Sequence, residues 1–119
     1  MYLLAGSGRG AEAEIWAQRA FEAGDALALN DYAWMLATSP VPEMRDGKLA
    51  LRHAHRAVEL NRGAANLDTL AAAYAELTRF EDARAVQRQA LAAAGDDVAL
   101  VEELTAHLAA YENARPWRE

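Results

Sequence analysis

The sequence predicts an all-α protein: a right-handed solenoid of helical hairpins closed by a C-terminal capping helix. Three observations carry this prediction. One spaced pattern occurs twice, as Leu29, Tyr32, Ala33, Leu36, Ala50, Ala54 and Ala57, and again as Leu67, Leu70, Ala71, Tyr74, Phe80, Ala83 and Ala90. Self-similarity at such a period marks hairpins that bury their apolar faces by stacking on neighbours. The 119 residues are 53% hydrophobic and roughly a quarter alanine, the best helix former, with few β-branched competitors. Near the end, Val98, Val101, Leu104, Leu108 and Tyr111 recur three and four apart, which gives one apolar stripe on a last helix.

Taken in order, residues 1–24 read as half a repeat. Ala13, Ala17 and Ala20 reproduce the spacing of Ala50, Ala54 and Ala57, so residues 11–23 look like a second helix without its first. Met1 to Ala5 resembles the tail of that first helix, with Gly6, Gly8 and Gly10 as the turn between them. Trp16 would then lie on an uncovered end, a candidate surface for self-association as a homodimer. Residues 25–62 form the first full repeat. Its turn is five residues longer than its counterpart, and Ser39-Pro40-Val41-Pro42 fills it, because two prolines forbid a continuous helix. Asp46 is placed to cap the helix that follows.

Residues 63–95 form the second repeat, and residues 96–119 the capping helix and tail. Small residues suit close helix crossings and large ones the gaps between them. Ala33 with Ala57, and Ala71, Ala83 and Ala90, fit the crossings; Tyr32, Leu36, Tyr74 and Phe80 fit the gaps. Asp96 or Asp97 caps the last helix, whose other face carries Glu102, Glu103, Thr105 and His107 toward water. Pro116 ends regular structure, and Trp117 is expected to fold back on that helix.

With these residues in view, the chain resembles tetratricopeptide repeat proteins. It is similar to a bacterial subset whose C-terminal repeats carry runs like Ala33-Trp34-Met35-Leu36-Ala37-Thr38-Ser39-Pro40, Arg45-Asp46-Gly47 and Leu67-Asp68-Thr69-Leu70-Ala71-Ala72-Ala73-Tyr74, ending near Arg115-Pro116-Trp117-Arg118-Glu119. The second copy departs from the family pattern at Thr78, where a turn glycine is usual, at Gln87, where a bulky apolar residue is usual, and at Gly95, in place of a closing proline. The resemblance implies a concave groove lined by the first helices of successive repeats. Carried over by alignment, its positions are Leu27, Asn30, Asp31, Trp34 and Thr38, with Asp68, Thr69, Ala72 and Glu76. Helical period supports the stripe, since Asn30, Trp34 and Thr38 are four apart, as are Asp68, Ala72 and Glu76.

The function implied is a scaffold or adaptor that binds a peptide or partner helix. The carboxylates favour a basic or neutral segment. Where some relatives clamp a chaperone's C-terminal carboxylate with Lys and Asn, this chain has Leu27, Asp31, Ala65 and Thr69, so no such binding is expected. The alternatives are a self-assembling module joined through the N-terminal half repeat, and the regulatory C-terminal segment of a larger enzyme. Trp34 has a bland reading as well, packed under Pro40 or Pro42, and Asp31 and Asp68 have one as braces for Arg45 or Arg62.

Other functions find little support. The formal net charge of −6 disfavours nucleic acid, which needs a basic face. No apolar run approaches the roughly 20 residues of a membrane span. The start lacks the basic, apolar run of a secretory signal, which favours a cytoplasmic protein. Zero cysteines exclude disulfides and thiolate metal sites. His53 and His55, two apart on a helix, point in different directions and are expected at a helix surface or repeat interface. Gly6-Ser7-Gly8-Arg9-Gly10 lacks the Lys-Ser/Thr pair of a phosphate loop. Ser7 and Ser39 have no His and Asp companions in the local sequence. No catalytic residue, cofactor or metal site is expected.

Overall fold

The computed structural model describes residues 8–119, which form six α-helices and one short 3-10 turn, with no strand among them. The helices are α1 (Gly8–Glu22), α2 (Ala26–Thr38), α3 (Gly47–Leu60), α4 (Ala64–Glu76), α5 (Phe80–Ala94) and α6 (Val98–Glu112), with the 3-10 turn at Pro42–Met44. The reading of Met1 to Ser7, including Gly6, lies outside the described residues. Gly8 and Gly10 do not form the expected turn; both belong to the first turn of α1.

Local chemistry fixes the helix ends. Asp25, Asp46 and Asp97 each accept a hydrogen bond from a backbone N–H three residues on, which satisfies a donor that the helix leaves orphaned. Of the two candidate caps for the last helix, Asp97 is the one used. Gly95 closes α5 at φ 60° and ψ −126°, a conformation open to glycine and closed to residues with a Cβ. Thr78 holds the tight turn after α4 at φ 61°, so the residue standing where glycine is usual adopts the left-handed geometry that favours glycine.

Substantial contacts join only helices one or two apart in the chain: α1 with α2 and α3, α2 with α3 and α4, α3 with α4, α4 with α5, and α5 with α6. The body measures 41 × 29 × 22 Å. Alanines make the closest approaches. Ala33, Ala50, Ala54 and Ala73 are fully buried in one cluster, and Ala71, Ala75 and Ala83 in another with Tyr111. Tyr32, Tyr74 and Phe80 fill space at the edges of these clusters. Ala33 and Ala57 are both fully buried, Ala33 with Ala50 and Ala54, and Ala57 with Ala17, Ala20 and Leu29.

The inserted turn is braced by the Arg45-Asp46-Gly47 run. Arg45 donates to the Ser39 carbonyl and pairs with Glu76 at 3.3 Å. Gly47 lies so close to α4 that a Cβ there would stand 2.8 Å from the Leu77 side chain. Arg62 donates to Gln89, so neither arginine braces Asp31 or Asp68. No helix among the described residues is long and apolar enough to cross a membrane.

Candidate functional site

Segment 115–119 returns across α2, α4 and α6. Its course follows from the end of α6: Ala114 turns the chain at φ 55°, and Pro116 cannot continue a helix. The Trp117 indole stacks at a tilt on the His107 ring, 4.3 Å between centroids, and packs against the cluster of Ala71, Ala75, Ala83 and Tyr111. Arg118 pairs with Glu76 at 2.8 Å and donates to the Ala37 carbonyl. The backbone N–H of Glu119 donates to the Thr38 carbonyl at 3.0 Å. The segment is thus held by an apolar ring, a charge and a main-chain hydrogen bond.

This face gathers part of the stripe expected from sequence. Thr38 and Glu76 touch the returning segment directly. Trp34 sits half-buried and meets the His107 ring at a tilt, 5.5 Å between centroids. Thr38 spends its hydroxyl on the Trp34 carbonyl one turn back, leaving its own carbonyl for Glu119. Asn30 is buried with its Oδ1 unpartnered. Thr69 and Ala72 are buried within α4, where Thr69 donates to the Ala65 carbonyl. Leu27, 70% exposed, and Asp31 lie on open surface at the start of α2.

Asp68 is not an open groove residue. It is buried and accepts from Gln87 Nε2 at 2.9 Å and from His107 Nδ1 at 2.8 Å. Because a carboxylate only accepts, the proton of that pair sits on Nδ1. His107 was expected on the solvated face of α6. It is instead buried, because Asp68, 39 residues earlier, supplies a partner that the local pattern cannot reveal. Gln87 also donates to the Leu104 carbonyl at 3.0 Å and so ties α5 to α6 as well as to α4. Tyr111 is fully buried nearby. Burial, and secondarily the charge of Asp68, holds its phenol well above the usual tyrosine range.

The residues able to hold a cation lie here. One donor atom each from Asp68, Glu103 and His107 fall within 4.8 Å of one another. Glu103 and His107 are four apart, a signal already present in the sequence; Asp68 comes from another helix and gives no such signal.

At the opposite end, His53 is fully buried and meets Glu14 of α1 at 3.1 Å, while Arg52 pairs with the same carboxylate. Burial pushes the His53 imidazole below its usual range, against the opposing pull of Glu14. His55 is exposed and meets the Tyr74 hydroxyl. Trp16 is 50% exposed and touches Tyr32 edge-on.

Compared with known proteins, the chain matches no family model, no curated protein and no solved structure. Its function is therefore argued from its own residues.

Proposed function

We propose that the chain is a protein-interaction module of the tetratricopeptide type, an array of helical hairpins that takes an extended peptide across the face of α2, α4 and α6. The pattern of contacts between near neighbours along the chain supports the array. One observation carries the function: segment 117–119 is itself held on that face through an aromatic side chain, a basic side chain and a backbone N–H. A partner of the same chemistry, a basic or neutral segment with tryptophan beside arginine, competes for the same contacts. Glu76 selects the positive charge, and the indole of Trp34 completes the aromatic wall.

The test uses the full chain with Trp117→Ala and Arg118→Glu, which releases its own segment, and a labelled peptide of residues 114–119. Fluorescence anisotropy should give a dissociation constant of about 10–100 μM for the variant. The wild type should bind at least about tenfold more weakly, because its tethered segment competes at an effective concentration near the millimolar range. Absence of binding to a folded variant at about 1 mM peptide rejects the proposal.

A second reading rests on α1, where Ile15 and Trp16 are 54% and 50% exposed, an apolar pair suited to self-association. A monomeric mass by light scattering rejects it.

A further inference from the structure

We infer that Asp68, Glu103 and His107 bind one divalent first-row transition metal ion, with Zn²⁺ as the best-fitting case. The three donors already lie within 4.8 Å of one another, and they come from two helices whose separation the core fixes. Asp68 Oδ1 and His107 Nδ1 are 2.8 Å apart. Two ligands on one ion with bonds of about 2.1 Å stand roughly 3.0–3.4 Å apart, so this pair needs to open by only a few tenths of an ångström. Glu103 lies one helical turn before His107 on the same face and is exposed, free to swing its carboxylate inward from the solvent side.

An independent feature of the buried groups points the same way. Two carboxylates, Asp68 and Glu103, stand beside the imidazole, and Gln87 Oε1 lies close by. That amide oxygen is fully buried and has no hydrogen-bond partner. Its nitrogen is 2.9 Å from Asp68 Oδ1, which places the oxygen within about 5 Å of the same carboxylate by amide geometry. Two carboxylates balance a charge of +2, and imidazole with carboxylate oxygens suits Zn²⁺ over Mg²⁺ or Ca²⁺. The indoles of Trp34 and Trp117 both lie against the imidazole and limit water around it. On binding, the ion takes the place of the Nδ1 proton, which leaves to solvent.

Calorimetric titration of Zn²⁺ into the full chain, in two buffers of different ionisation enthalpy, tests this directly. The expected result is one ion per chain with a dissociation constant at or below about 10 μM and close to one proton released. Glu103→Gln, at an exposed position, should keep the metal-free circular dichroism and Tm unchanged and weaken binding at least about tenfold. Co²⁺ should give visible absorption bands in the wild type that Glu103→Gln diminishes. Glu14→Gln, beside the other buried histidine, should leave the affinity unchanged. No saturable binding by about 1 mM Zn²⁺ overturns the inference. So does binding that Glu103→Gln leaves intact or that Glu14→Gln abolishes.

Discussion

Two buried histidines each meet a carboxylate 39 positions earlier in the chain, and the two pairs are built differently. His53 and Glu14 join α3 to α1, where the carboxylate is a third exposed and shared with a surface arginine. His107 and Asp68 join α6 to α4, where the carboxylate is 10% exposed and accepts a second hydrogen bond from a fully buried glutamine. Beyond the first pair the face of α1 stays open at Ile15 and Trp16; beyond the second, Trp117 and Arg118 cover the helices. The same chemical pair therefore does different work according to its surroundings. Near water it tolerates loss of a partner, and in the interior every member depends on the rest.

The sharpest way to break this contrast is to remove each carboxylate. Asp68→Ala leaves the Nδ1–H of His107 and one of the two Nε2–H groups of Gln87 buried without an acceptor and should cost about 3–5 kcal/mol in urea unfolding. Glu14→Ala, whose site admits water, should cost about 1 kcal/mol or less. Equal losses would erase the distinction. Packing supplies the next test. Ala71→Leu overfills a fully buried crossing beside Tyr111 and should cost about 1–3 kcal/mol by thermal unfolding, with Ala20→Leu at the edge of α1 costing less.

Acidity gives the smallest effect and concerns the first pair. The folded protein lowers the pKa of His53, so the unfolded chain takes up this proton first as pH falls. The stability linked to His53 is complete above its ordinary value of about 6.5 and is lost as pH drops through the lower folded value. Tm measured between about pH 7.5 and 5.5 should fall, and His53→Gln should flatten that slope.

Helices and caps were legible in the sequence where their causes are local. Alanine spacing marks α2 to α5, and Asp46 and Asp97 sit one residue before the helices they cap. The return of Trp117 onto α6 was legible too, because proline stops the helix and leaves a large apolar ring in search of cover. His107 was not, since a polar residue beside Glu103 and Thr105 reads as surface until Asp68 is brought to it from another helix. The burial of Asp68, Thr69 and Ala72 was hidden for a related reason. Their spacing gives a stripe on α4, but Asp68 is covered only when α6 brings His107 to it, and Ala72 only when it joins Ala33, Leu36 and Ala37 of α2 in one cluster. Gly8 and Gly10 show the converse, a composition that reads as a turn and is carried into a helix by the residues that follow.

Gln87 also constrains how such a chain can grow. Its amide is matched to Asp68 on one side and to the Leu104 carbonyl on the other, so α5 is committed to this particular successor. Duplicating the α4–α5 hairpin in place would set one copy of the glutamine against a new neighbour with no reason to offer that carbonyl. A single buried amide thereby makes α6 the specific successor of α5.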